Sequence, residues 1–421
     1  MNPPDDAFEL DLVSMAHGGS ALGRHEGRVV FVPYAIPGER VRVRLSGEGD
    51  AERGGKRFAR AEVVDVLSPA PGRVAPRCRH FGPGECGGCQ WQHIDYAAQL
   101  RFKQQVMIDQ LERVGKLKDP PVLAALPAPN PWAYRMNATF HLDEAGTLGF
   151  WSDDNSRVVA LEECHIIHPA LLDLLDSLEF EAGSLERVRL QVGSDGALMM
   201  TLSAADDLPP ALETDLPLSV NFLLSDNEPL NLVGSTHARY EVRGRWFRVT
   251  AGGFFQVNPA VAGVLVDEVM HHLDLRGSES VLDLYSGVGL FSAFIAESAA
   301  LVTAVESYPP AVTDAESNLA DFDNVDLIEG AVEDVLPNLE GPYDHAVVDP
   351  PRTGMTPAAL DALVAHAPRT LVYVSCDPAT LARDAGRLAA HGYTLAEVQP
   401  VDMFPQTFHI ESVSRFVRKG V

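Results

Sequence analysis

No run in these 421 residues stays apolar for the roughly 20 positions a membrane-spanning helix needs. The first residues, MNPPDDAFELD, are acidic and lack an apolar core, so no secretory signal is expected. Cysteine is scarce. Five in a long chain, an odd number, exclude a disulfide framework as the organising device and suit a reducing, cytoplasmic setting. Internal repeats and low-complexity tracts are missing too, which leaves two to four ordinary domains, each with its own core.

The net charge of −26 argues at first against a nucleic-acid partner, but its distribution argues otherwise. Residues 1–117 carry 16 basic and 15 acidic side chains, a net of +1, whereas residues 253–421 carry 8 and 24, a net of −16. Four of the eight residues in RGGKRFAR (53–60) are basic. In ERVRVRL (39–45), Arg40, Arg42 and Arg44 alternate with Val41, Val43 and Leu45. As a strand, this segment shows guanidiniums on one face and apolar groups on the other. Such a face suits either solvent or phosphate.

Residues 8–68 read as short strands with Gly/Pro turns about every ten residues, the pattern of a small antiparallel barrel. The Pro-rich SPAPGRVAPRC (68–78) closes it. Residues 95–116 predict a helix with Tyr96, Leu100, Met107, Leu111 and Val114 on one face. Residues 118–252 are mixed, with strands at YRMNATFHL, RVRLQVG and GALMMTLSA. From 253 onward, the strand-like SVLDLYS, LVTAVES, VDLIEG, YDHAVVDPP and TLVYVSCDP alternate with helical segments, predicting an α/β unit with a parallel sheet.

In VLDLYSGVGLFSAFIA (281–296), an apolar strand bearing Asp283 runs into a turn with Gly287 and Gly289 and then a helix. Glycines there let a ligand approach the backbone at a helix N-terminus. A full G-x-G-x-x-G is absent, and the next strand ends in Glu306, placed for a ribose diol. This combination resembles the nucleoside pocket of class I S-adenosylmethionine-dependent methyltransferases more than a dinucleotide site. The sheet rule puts Asp349, in DPPR, and the lone Cys376, in YVSCDP, at the same C-terminal sheet edge. A lone cysteine is commonly a small core residue, but one flanked by Ser375 and Asp377-Pro378 at a sheet mouth is atypical of core.

The other four cysteines group by spacing: Cys78-x7-Cys86-x2-Cys89, with Cys164 far along the chain. Four thiolates suit structural zinc or a [4Fe–4S] cluster, and the spacing does not choose between them. His80, His93, His165 and His168 are further candidates for a zinc site.

Taken together, GFFQVNPAVA (253–262), LDLYSGVGLFS, DPPR (349–352), YVSCDPATLARD and VDMFPQTFHIESVSRF (401–416) resemble, almost end to end, the motifs of the RNA uracil-C5 methyltransferase family. Residues 1–69, including GRVVFVPYAIPGERV, resemble the RNA-binding barrel called a TRAM domain. The resemblance implies a barrel at 1–69, a central domain at 70–94 and 118–252 with the cysteines, a helix at 95–117 packed on the catalytic domain, and a Rossmann-like methyltransferase domain at 253–421. It implies Cys376 as nucleophile and Glu411 as base. Gln256, Tyr285, Gly287, Glu306 and Asp349 would line the S-adenosylmethionine site. Cys78, Cys86, Cys89 and Cys164 would hold [4Fe–4S], with zinc the alternative. The expected partner is RNA, 23S ribosomal RNA first and transfer RNA second, with a monomeric enzyme and no membrane.

The chemistry demands these residue types independently. Uracil C5 is a poor nucleophile; a thiolate adding at C6 makes C5 enolate-like, and a base must later take the C5 proton so that the thiolate can leave. Leu290 and Ala331 depart from positions that are commonly polar in the family. A cytosine-C5 enzyme would use a second catalytic cysteine, which is lacking here. A non-catalytic RNA-binding protein would have no use for Cys376, Asp349 and Glu411 together.

Overall fold

The computed structural model describes residues 7–48, 58–180 and 185–420. Five strands, Phe8–Met15, Ala21–His25, Arg28–Val32, Arg40–Glu48 and Phe58–Ser68, close into a barrel. All its pairings are antiparallel except that of Arg28–Val32 with Phe58–Ser68. Val41 and Val43 are fully buried inside, and Arg40, Arg42 and Arg44 point outward. Leu45 breaks the expected alternation and is exposed; the strand register slips just after it, between Leu45 and Gly47. Acids oppose these arginines. Arg40 pairs with Glu9 at 2.7 Å, Arg42 stands across from Glu9 and Asp65, and Arg44 from Glu62. Of the basic run at 53–60, residues 53–57 lie outside the described residues.

A seven-stranded central sheet runs Pro229–Val233, Leu218–Leu223, Leu198–Ala204, Leu185–Val192, Asn137–Leu142, Leu148–Trp151, Val158–Ala160 in spatial order. The hairpin of His237–Val242 and Arg245–Thr250 belongs elsewhere. Its Tyr240, Phe247 and Val249 share a core with Phe255 and helix Pro259–Leu273, ahead of the pattern change at 253.

The second seven-stranded sheet runs Val325–Glu329, Leu301–Glu306, Ser280–Leu284, His345–Val348, Thr370–Ser375, Glu411–Arg418, Tyr393–Val401. It is parallel except for Glu411–Arg418, which lies antiparallel to both neighbours. Chain order reverses on either side of Ser280–Leu284, so a crevice for a ligand opens at the C-terminal ends of that strand and of His345–Val348.

The helix Tyr96–Arg113 is capped by Asp95, whose Oδ1 accepts the Ala98 N–H at 2.9 Å. Its buried face differs from the periodicity-based expectation. Met107 and Leu111 are buried, but Val114 is exposed, and Gln99, Lys103 and Gln110 are buried beside them. Two of these polar side chains meet partners on residues 402–406. Gln99 exchanges amide hydrogen bonds with Gln406, and the Lys103 ammonium lies 2.5 Å from Asp402. Partners far away in sequence, invisible to helical periodicity, override the polarity of the residues.

Candidate active site

The turn after Ser280–Leu284 takes three left-handed residues in five: Tyr285 at φ 62°, Gly287 at 56° and Gly289 at 82°. At Gly289 a Cβ would come within 2.9 Å of Leu319, so both space and backbone ask for glycine. Glu306 staples this turn to the next strand. Its Oε2 accepts the Gly287 N–H at 2.9 Å, while Oε1 accepts Ser307 and Tyr308 N–H groups at 2.8 Å each. Leu290 opens the following helix and is buried in the core. Ala331 precedes a short helix without a side-chain cap bond. Gln256 is buried two residues before Asn258, which caps helix Pro259–Leu273.

Asp283 is wholly buried. Its Oδ2 accepts from Ser292 Oγ at 2.5 Å, and its Oδ1 has no partner among the described residues. Burial, against the Ser292 bonds and with help from the Glu306 charge, pushes Asp283 up to about 7. Burial and the Asp283 charge push Asp349 to about 7 as well.

Cys376, Asp349 and Glu411 come together by strand pairing. Thr370–Ser375 lies between His345–Val348 and Glu411–Arg418, with Val348 opposite Tyr373 and Ser375 opposite Ser412. The residues that leave or enter these three strands at one edge are Asp349, Cys376 and Glu411. Glu411 is buried; burial lifts its carboxyl well above the usual range, the Asp349 charge adds to this and Arg352 opposes it. Burial, then the charges of Glu411 and Asp349, push the Cys376 thiol up to about 12, again against Arg352. Asp377 behaves oppositely. Although burial works against it, His17 and the N–H groups of Thr380 and Ala379 hold its carboxyl down to about 2. The two N–H bonds, each 2.9 Å, cap helix Pro378–Ala390, and His17 Nε2 reaches Asp377 Oδ2 at 3.4 Å from the barrel. His17 has no sequence signal because it acts through space; Arg352 lies in the DPPR motif, but its effect on Cys376 and Glu411 is likewise spatial.

A sequence model described as tRNA (Uracil-5-)-methyltransferase matches residues 236–419, and a TRAM domain model matches residues 11–64. An uncharacterized RNA methyltransferase of Streptomyces avermitilis is 35% identical over 426 residues, covering 97% of this chain and 98% of that one. One of Thermosynechococcus vestitus is 34% identical, covering 97% of each. This chain belongs to the RNA uracil-C5 methyltransferase family. It is an S-adenosylmethionine-dependent RNA methyltransferase. In fold it is similar to the crystal structure of Pyrococcus abyssi tRNA (uracil-54, C5)-methyltransferase in complex with S-adenosyl-L-homocysteine. That match has a TM-score of 0.73 at 23% identity and covers 97% of this chain and 100% of that chain. No helix among the described residues is long and apolar enough to cross a membrane.

In this family member Cys78, Cys86, Cys89 and Cys164 are free thiols lining one small cavity with His80 and Glu163. Burial raises all four, Cys86 to about 11, and the charges of neighbouring thiols add to it at Cys78, Cys86 and Cys89. Four thiols converging where thiolates cannot stand without a cation is a donor set that fits a thiolate-bound metal centre. No group of three or more His, Cys, Asp or Glu among the described residues stands close enough to grip a metal ion as it is. The four candidate histidines differ, and His165 Nε2 and both ring nitrogens of His93 are buried without a hydrogen-bond partner among the described residues. His168 caps helix Pro169–Leu175, His93 packs against Tyr34 and Phe81, and His80 Nε2 accepts the Glu162 N–H at 3.1 Å.

The buried acids make stability fall with pH. Folded Asp283 keeps its proton up to about 7 while the unfolded carboxyl loses it near 4, so stability drops as pH rises through that window. Asp283→Asn removes the penalty. At pH 8 the variant should unfold about 1–3 kcal/mol less readily than the wild type, and the gap should close at pH 4. Denaturant titrations at both pH values check this; parallel pH profiles contradict it.

Proposed function

We propose that this enzyme methylates C5 of a uridine in 23S ribosomal RNA through a covalent adduct between Cys376 and C6. The observation that supports this most is the meeting of Cys376, Glu411 and Asp349 on three adjacent strand ends beside the glycine turn. Gln256, Tyr285, Gly287, Glu306 and Asp349 hold S-adenosylmethionine, which supplies the electrophilic methyl group that C5 accepts. Arg352 offsets the negative surroundings that keep Cys376 protonated, and so favours the thiolate. The thiol proton of Cys376 passes to solvent, the sulfur forms its bond to C6, and the C5–C6 pair of electrons moves toward C5 and O4; C5 then takes the methyl group, and the pair of the broken S–CH3 bond stays with S-adenosylhomocysteine. Once C5 carries the methyl group, Glu411 takes the C5 proton, the electrons return to the C5–C6 bond, and the C6–S bond breaks with the pair on sulfur. Glu411 has to give its own proton to solvent before that step; as a carboxylate, its raised proton affinity then drives the transfer.

Cys376→Ala should abolish methyl transfer while S-adenosylhomocysteine binding, measured by calorimetry, stays near normal. Glu411→Gln should accumulate a protein–RNA adduct, visible as a shifted band on a denaturing gel. Full turnover by the alanine variant would sink the nucleophile, and a glutamine variant with wild-type turnover and no adduct would remove the base.

Ribosomal RNA comes first as target because the barrel, the four-cysteine centre and the methyltransferase domain occur together here; the matched sequence model is named for transfer RNA. Mass-spectrometric mapping of 5-methyluridine in a deletion strain should show a site lost from 23S RNA. A loss confined to transfer RNA would overturn that choice.

The four thiols are assigned to a [4Fe–4S] centre that ties the 78–89 loop to the segment at Cys164. Protein purified without air should be brown, with about four irons per chain. Cys89→Ser should lose the colour and melt earlier, with residual activity tracking the folded fraction. Stoichiometric zinc would replace the assignment, and a folded but inactive variant would deny a purely structural role.

A further inference from the structure

Arg135 is bonded to the segment after Cys164 and lines a wide cavity. Its backbone is zipped to the segment that follows Cys164: its N–H donates to the Ile166 carbonyl and its carbonyl accepts from the His168 N–H, both at 2.9 Å. The side chain lines a cavity of about 1210 Å³ between the barrel and the central sheet. Phe31 and Phe58 of the barrel, Trp151 of the central sheet, and Phe408 supply aromatic surface there. Cys376 and Glu411 do not line this cavity, but His17 and Phe408 do. His17 reaches Asp377, the residue after Cys376, and Phe408 lies three residues before Glu411. The cavity therefore ends beside the reacting groups.

The buried Nε of Arg135 has no hydrogen-bond partner among the described residues. An unmade bond of this kind costs about 1–3 kcal/mol, so it calls for an acceptor from outside the chain. Arg135 acts on His409 together with two other cations. His409 is held neutral, down to about 4, by burial and then by Arg352, Lys103 and Arg135. Lys103 is consumed by Asp402, whereas Arg135 lines the cavity. Three acids line the cavity, Glu62, Asp153 and Asp154, and two of them accept internal hydrogen bonds, Asp153 from Tyr34 and Gly84 and Asp154 from Ser152 and Ser156; Arg60 joins Arg135 as a cation on the same wall.

We propose that Arg135 binds a backbone phosphate of the RNA beside the target uridine, and so sets where the uridine sits relative to Cys376. A guanidinium fork matches phosphate oxygens, and this one has its Nε desolvated and its main chain held in place. The aromatic side chains along the same cavity give unstacked bases a surface to pack on. Because the main chain of Arg135 is bonded to residues 166 and 168, the cysteine pocket supports RNA placement through this arginine without joining the chemistry.

This inference rests on the proposed RNA methylation at Cys376, and the test separates the two. Binding of a fluorescein-labelled oligouridylate is measured by anisotropy across a salt series, using the full chain and its Arg135→Ala and Arg135→Lys variants. Arg135→Ala should bind about tenfold more weakly at low salt, and its log–log salt slope should be shallower by about 0.7, the share of one phosphate on a single strand. Arg135→Lys should keep the slope and lose part of the affinity, because a point charge replaces the fork. S-adenosylhomocysteine affinity and melting temperature should match the wild type in the lysine variant, which keeps the test valid if the alanine variant folds poorly. Unchanged affinity and slope in Arg135→Ala would overturn the proposal, as would a lysine variant whose slope falls as far as that of alanine. A missing Cys376 adduct with the slope change intact would instead count against the catalytic reading alone.

Discussion

The arrangement of this enzyme depends on a buried ion pair. Lys103, in the helix after the cysteine loop, and Asp402, at the start of the last loop, meet at 2.5 Å with almost no exposure, and the ammonium also donates to the Phe404 carbonyl at 3.1 Å. Burial alone would pull the lysine down, and Asp402 works against that. Such a pair adds little net stability relative to apolar packing, but losing one partner strands a charge at a cost of about 3–5 kcal/mol. What it confers is position. Gln406 accepts Gln90 and Trp91 N–H groups at its carbonyl, its side chain pairs with Gln99, and Tyr134 donates to the Pro405 carbonyl at 3.0 Å. The indole of Trp91, fully buried, donates to Gly19 of the barrel at 3.0 Å. Barrel, cysteine loop, central sheet and catalytic sheet thus all hold the loop that delivers Glu411.

The reacting edge is electrostatically costly. Asp283, Asp349, Glu411 and Cys376 share one end of a sheet, and burial raises the proton affinity of each. Coupled groups of this kind release protons as a set rather than singly. Arg352 opposes the trend at both Cys376 and Glu411, and His17 and two backbone N–H groups hold Asp377 ionised one residue away. The site resists ionisation without substrate, and that resistance fits a nucleophile and a base that are needed only when RNA fills the cavity.

How much of this was legible beforehand varies by element. The strand and glycine turn at 280–289 and the strands ending at Asp349 and Cys376 were readable, because apolar runs of period two and obligatory glycines are local facts. The helix at 96–113 was readable as a helix but not in its buried face, since Gln99 and Lys103 are buried by partners some 300 residues away. Leu45 was misjudged, next to a register slip that is a property of the paired strand. The boundary at 253 missed the hairpin 237–250, whose strands look like any others until Tyr240 and Phe247 are seen in the catalytic core.

The sequence by itself determined the family, the class of chemistry and the residue types that carry it, because a thiol, a carboxylate and a glycine turn are specified by covalent structure and local spacing. Only the tertiary structure decided how those groups behave. It put Glu411 antiparallel beside the Cys376 strand, brought His17 from the barrel to Asp377, gathered four thiols from two segments into one cavity, and left the Nε of Arg135 without a partner among the described residues. The physical reason is that proton affinity, desolvation and hydrogen-bond satisfaction depend on neighbours in space, and those neighbours are chosen by packing between segments far apart in the chain.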